Sequence, residues 1–237
     1  MLVFKRKNII IISVFLVVML TFVFCFGILA IRPTVEIPDK VKIVLDAGHG
    51  GIDGGVTGIN TLIKESELNL IIVKKLEKYL IGSGFSVVLT RSSDAGLYGI
   101  ATKNRKKKDM QRRSEIINKV KPSLVVSIHM NQYSLSTRRG AQVFYKQNDE
   151  SGKKLANCVQ DSFNNMENSA RNCSALVGDY YILNCSQYPS IIAECGFLSN
   201  PEDEALLITE EYQEAISYAI FKGIVEFLVS PTFNYNY

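Results

Sequence analysis

Two histidines, His49 and His129, are the only imidazoles in the 237 residues. His49 lies in Asp46-Ala47-Gly48-His49-Gly50-Gly51, just past the β-branched run 41–45. His129 follows a second such run, 124–128, and leads into Met130-Asn131. Two carboxylates occupy comparable positions. Glu65 opens a helical pattern after the glycine-rich loop, and Glu194 follows the short run 191–193. Two imidazoles and one carboxylate can hold Zn²⁺ while leaving a fourth position for water. A second carboxylate is then required as general base for that water. Glu65 and Glu194 suit either task, and spacing alone does not choose between them. The glycines around His49 let the backbone pass close to a ligand or metal. A single histidine at a strand end is more often a satisfied structural residue than a ligand, so the inference rests on the combination.

These residues must be positioned by the elements around them. The runs 41–45, 86–90, 124–128, 141–145, 180–183 and 191–193 read as strands. Helical spacing marks 65–80, with Leu68, Ile71, Ile72, Leu76 and Tyr79 on one side. Residues 110–120, 152–163 and 209–228 also read as helices, the last with Thr209 as N-cap and Pro231 past its end. Such alternation predicts an α/β fold, one domain with a mainly parallel sheet flanked by helices. Reactive groups in that architecture gather at the carboxyl edge of the sheet, where three strand ends can converge on one point.

The segments Asp46-Ala47-Gly48-His49-Gly50-Gly51, Lys64-Glu65-Ser66-Glu67-Leu68-Asn69-Leu70, Ser127-Ile128-His129-Met130-Asn131 and Glu194-Cys195-Gly196-Phe197-Leu198-Ser199-Asn200 occur in this order. Together they resemble the zinc-dependent type 3 N-acetylmuramoyl-L-alanine amidases, over residues 41–228. The resemblance implies Zn²⁺ held by His49, Glu65 and His129, with Glu194 as the catalytic carboxylate. It implies peptidoglycan as substrate, cut between the lactyl group of N-acetylmuramic acid and L-alanine. The family's usual acid-Lys-Asp stretch reads Glu65-Ser66-Glu67 here, which changes neighbours of the ligand and not the ligand. Thr90-Arg91 and Arg113 match family positions more softly, and a structural ion pair is at least as good a reading of both arginines as a substrate contact. Asn131 could orient His129 or bind substrate.

The layout is most similar to the sporulation- and germination-specific branch, through the short N-terminal segment, Ser93-Asp94, the basic loop before Asp109-Met110 and the end near Leu228. That branch implies action on spore cortex, leading to muramic-δ-lactam. The alternatives are another zinc peptidoglycan hydrolase or deacetylase, and a non-catalytic wall-binding module. The presence of all four site residues argues against the last. Between His129 and Glu194 there is no room for a long inserted helix, so control by a separate regulatory protein is an open alternative, and the sequence singles out no surface for it.

The chain's other signals concern location. Lys5, Arg6 and Lys7 precede residues 9–31, which carry no charge. At 1.5 Å per residue such a stretch crosses a hydrocarbon core of roughly 30 Å. Ile28-Leu29-Ala30 is a poor cleavage site because Ile28 is bulky, so an uncleaved anchor is preferred over a cleaved signal. Positive charge on the short side keeps that side cytoplasmic and the domain outside. The expected division is therefore an anchor or signal segment at 1–31, a linker at 32–40, the catalytic domain at 41–229 and a tail at 230–237. A composition 47% hydrophobic and 21% charged excludes a disordered or collagenous chain. The net charge of +4 sits partly at the N-terminus and partly in 103–108, and neither segment calls for nucleic acid. Cys25 lies in the anchor; Cys158, Cys173, Cys185 and Cys195 form no C-x-x-C pair and read as scattered free thiols.

Overall fold

The computed structural model describes residues 41–101 and 103–230, together with Phe15 and Met19. The anchor expected at 1–31 therefore lies outside the described residues, apart from those two side chains. Among the described residues no helix is long and apolar enough to cross a membrane.

Six strands form one sheet in the order β2-β1-β3-β6-β4-β5. They are β1 (Lys42–Ala47), β2 (Ser86–Leu89), β3 (Leu124–Asn131), β4 (Gln142–Tyr145), β5 (Leu176–Val177) and β6 (Ser190–Phe197). Strands β2, β1, β3 and β6 run parallel, while β4 pairs with β6 antiparallel. The sheet is thus mixed, mainly parallel as expected, with β4 and β5 also parallel to each other and the β4–β6 pairing alone antiparallel among the described strands. The antiparallel pairing follows from the short connection between β3 and β4, which has no crossover helix to return the chain.

Among the described residues from 41 onward the helices are α1 (Glu65–Gly82), α2 (Arg105–Val120), α3 (Glu150–Asn164), α4 (Tyr181–Asn184), α5 (Pro201–Leu207) and α6 (Glu210–Val229). Thr209 caps α6 by accepting from the Tyr212 N–H, and Asp149 caps α3 by accepting from the Gly152 N–H. Helices α1, α3 and α6 cover one face of the sheet. There Leu45, Val126, Ile128, Ile191 and Ala193 pack into a continuous apolar core with Leu76, Val159 and Ile220. Gly223 in α6 allows the backbone of α3 to come close: a Cβ there would meet the Val159 Cα at 2.5 Å.

Helices α2 and α4 lie on the opposite face. The buried residues of α2 are Asp109, Arg113 and Ile117, a stripe four residues apart that is apolar at one end and charged at the other. Ile117 joins Val44, Val125, Ile182, Leu183 and Ile192 in a second, smaller cluster. The expectation of a strand at 180–183 is corrected here: residues 181–184 form the single turn α4. Short apolar runs do not distinguish strand from helix, and this one is docked on α2 and β6 through Ile182 and Leu183. Strand β6 also runs past residue 193 to Phe197, because β3 and β4 pair with it on both sides.

Candidate metal centre and catalytic cleft

His49 leaves the end of β1 with a left-handed backbone (φ 59°) and is followed by Gly50 and Gly51, also at positive φ. This bend turns the imidazole back toward the sheet. His129 stays inside β3, and its ring lies over Gly48, where a Cβ would come within 2.2 Å of the imidazole. A side chain at position 48 would therefore displace His129. Glu65 begins α1 and is almost wholly buried. One of its oxygens lies 2.8 Å from His129 Nδ1 and 3.3 Å from His49 Nε2. Donor atoms of the three residues lie within 4.8 Å of one another, a cluster able to hold a metal ion. Two imidazoles and a carboxylate form a donor set suited to zinc.

The carboxylate is anchored independently of the histidines. Glu65 accepts the N–H of Val56 at 2.9 Å and that of Met130 at 3.1 Å. Gly55 leaves room for it, since a Cβ there would sit 2.3 Å from Glu65 Oε2. Burial alone would push the Glu65 carboxyl up, but the contacts with His129 and His49 hold it below the usual carboxylate range. Burial would lower the His49 imidazole, and its acidic neighbours Glu65 and Asp53 raise it instead.

Glu194 stands in register with His129 on the adjacent parallel strand, so both side chains leave the same face of the sheet. It is buried, and its carboxyl is pushed up to about 7, chiefly by burial and further by the Glu65 charge, against the pull of His129 and His49. A carboxyl group titrating near neutrality can both accept and return a proton. His49, Glu65, His129 and Glu194 line one cavity of about 400 Å³. Met110, Tyr180, Ile182 and Ile192 supply apolar walls, and Lys106, from the basic run at the start of α2, lines the same cavity.

The softer positions fall differently. Arg91 is buried and donates to the carbonyls of Ala47, Gly48, Ser66 and Ser93. Arg113 is ion-paired with Asp46 and Asp109 and donates to the carbonyls of Ala47 and His49. Burial raises the Asp46 carboxyl, but Arg113 and the hydroxyls of Ser127 and Thr90 outweigh it and hold it below its ordinary value. The two guanidinium groups therefore grip the backbone that carries His49. Asn131 lines the cavity at the end of β3, with its side-chain oxygen accepting from the Gln132 N–H. Sequence reasoning missed Asp53, whose carboxylate lies 3.0 Å from His49 Nδ1. An acid four residues past a histidine in a glycine-rich loop was the available signal. The four domain cysteines are free, and Cys195 is fully buried.

The chain belongs to the family described as Amidase_3, N-acetylmuramoyl-L-alanine amidase, which matches residues 43–226. Its activity is that of an N-acetylmuramoyl-L-alanine amidase. It is 36% identical over 197 residues to the germination-specific N-acetylmuramoyl-L-alanine amidase of Bacillus subtilis, covering 81% of this chain and 82% of that protein. Its fold is similar to that of the CwlD amidase from Clostridioides difficile, solved in complex with the GerS lipoprotein. That match has a TM-score of 0.77 and 36% identity, over 80% of this chain and 98% of the other. An N-acetylmuramoyl-L-alanine amidase from Clostridium difficile 630 gives a TM-score of 0.73 at 29% identity, over 81% and 99% of the two chains.

Proposed function

We propose that this amidase is zinc-dependent and acts on spore-cortex peptidoglycan. The observation that carries the reading is the convergence of His49, Glu65 and His129 within 4.8 Å, with the buried Glu194 one strand away in the same cavity. The three donors would hold the metal, and zinc when bound supplies Lewis acidity to a water and to the scissile carbonyl.

The remaining work falls to the chain's own residues. Glu194 takes a proton from the attacking water as its oxygen bonds to the lactyl carbonyl carbon. The carbon–nitrogen bond then breaks, and Glu194 returns the proton to the departing L-alanine nitrogen. The products are a free lactyl carboxylate and a peptide with a new amino terminus. Apolar walls formed by Met110, Ile182 and Ile192 reduce competing water around the reacting amide. Arg91 and Arg113 act as positioning residues for the His49 loop, their donors spent on buried carbonyls and carboxylates. Asn131 lines the cavity wall, which supports reading it as a substrate contact.

The cortex assignment is supported by the germination-specific relative. We read residues 9–31 as an anchor that puts the catalytic domain outside the cytoplasm, where its substrate is. The solved relative bound to a lipoprotein supports an accessory protein partner for this chain as well. Digestion of purified peptidoglycan with and without zinc, followed by mass analysis, tests the whole reading. Lactyl carboxylates paired with L-alanine amino termini are expected only with zinc. Deacetylated sugars, shortened stem peptides or zinc-independent release would overturn it.

A further inference from the structure

The loop between β1 and α1 is folded back on itself more tightly than a connection requires. Gly50 pairs with Asp53, Thr57 pairs with Lys64, and the Glu65 N–H donates to the Val56 carbonyl at 2.8 Å. Inside this loop Asp53 occupies a distinctive place. One of its carboxylate oxygens is 3.0 Å from His49 Nδ1 and accepts the Gly55 N–H at 3.2 Å. His49 Nδ1 is closed off from solvent and makes no aligned hydrogen bond, with the Asp53 oxygen 3.0 Å away as the acceptor within its reach, whereas the other ring nitrogen, Nε2, faces Glu65 at 3.3 Å. Two residues beyond Gly55's neighbour Gly54, the Val56 N–H holds the second oxygen of Glu65. The turn at 53–56 therefore touches two of the three metal-binding side chains.

From this geometry we infer that Asp53 is a positioning residue of the metal centre, acting on the His49 ring itself. A small turn of the ring would let the Asp53 carboxylate accept the Nδ1 proton of neutral His49, which leaves the Nε2 lone pair directed at the point where Glu65 and His129 converge. A carboxylate behind a ligating imidazole fixes both tautomer and ring orientation and makes the ligand more basic. The same oxygen restrains Gly55, which abuts both the His49 ring and the Glu65 carboxylate. Asp53 thus couples one ligand's orientation to the other's. This rests on the metal-binding reading proposed above.

Zinc affinity of the purified full-length chain, measured by competition with a chromophoric chelator, tests the inference. Asp53→Asn preserves size but replaces the charged acceptor, and about tenfold weaker zinc binding is expected. Asp53→Ala should approach the upper end of the roughly 10–100-fold range found for such partners. Nitrogen-15 spectra of the metal-free protein at pH 8 provide a second readout, since only two histidines are present. Wild type should show His49 protonated at Nδ1, and Asp53→Asn a shift toward the Nε2-protonated form. Wild-type affinity in Asp53→Asn with an unchanged tautomer would overturn the inference while leaving the metal site intact. Stoichiometric zinc in His49→Ala would instead overturn the metal-binding reading itself.

Discussion

The strands β1, β3 and β6 present two unlike faces. Toward α1, α3 and α6 they show Leu45, Val126, Ile128, Ile191 and Ala193, all buried in apolar surroundings. Toward α2 and α4 the alternate residues are Val44, Asp46, Ser127, His129, Ile192 and Glu194. The second face is apolar only at its amino-terminal end. Farther along it is held by charge and hydrogen bonds: Asp46 accepts from Ser127 and Thr90 at 2.6 Å each and pairs with Arg113. The period-two alternation of a strand thus separates two tasks along one backbone. One side excludes water and supplies stability, while the other tolerates buried polar groups where chemistry needs them. Substitutions on the two faces should therefore fail in different ways.

The largest expected effect is on the reactive face. Glu194→Ala should lower turnover on peptidoglycan by about 10²- to 10⁴-fold and leave zinc bound. Glu65→Ala should lose zinc, because it removes the one charged donor of the cluster. Metal content and turnover measured on both variants separate the roles, and an exchange of the two outcomes would break the assignment. Next is Arg113→Leu, which leaves Asp46 and Asp109 buried without their partner. Removing one member of a buried pair costs about 3–5 kcal/mol, to be read by chemical denaturation of the metal-free protein. A loss below 1 kcal/mol would show that this face does not depend on its ion pairs.

On the apolar face, Ile220→Ala removes a fully buried side chain of α6. It should cost roughly 2–5 kcal/mol through lost burial and a residual cavity, with turnover per folded molecule unchanged. A fall in turnover at constant folded fraction would mean that the two faces are coupled more closely than their packing suggests.

The apolar face was also the more legible in the sequence. Runs such as Val41 to Leu45 and the pattern through Leu68, Ile72 and Leu76 announce themselves by period, although Ile71 and Tyr79, expected with them, remain partly exposed. The reactive residues were legible through residue type and family motifs, because His49, Glu65, His129 and Glu194 are rare chemistry at the ends of regular elements. What escaped depended on tertiary contact. Strand β5 is two exposed residues that exist by pairing with β4. The turn α4 takes its shape from α2 and β6. Helix α5 did carry a local signal that was overlooked: Asn200 caps it, Pro201 opens it and Glu202, Asp203 and Glu204 fill its first turn. Asp53 sat in plain view, but only the fold of its loop brings it to Nδ1 of His49.

The smallest expected effect sharpens the comparison by asking what a reactive group costs the fold. Glu194 is buried on a face otherwise stabilised by paired charges, yet one of its carboxylate oxygens has no hydrogen-bond partner. Its carboxyl titrates near 7 in the folded protein, against an ordinary value of 4.5. The folded metal-free chain therefore binds a proton at Glu194 that the unfolded chain has already released between those two values. Stability associated with this group is present below about pH 4.5 and is lost as pH rises through about 7. Glu194→Gln removes the titration while keeping the shape. It should leave the metal-free protein near wild-type stability at pH 5 and make it more stable at pH 8, with a ceiling of roughly 3 kcal/mol set by the size of the shift. Denaturation of wild type and variant across that range, read as a difference so that His49, Glu65 and Asp46 cancel, checks both sign and window. A variant less stable than wild type at pH 8 would mean that the ionised Glu194 is held favourably by the fold. In that case burial would not be what tunes the general base.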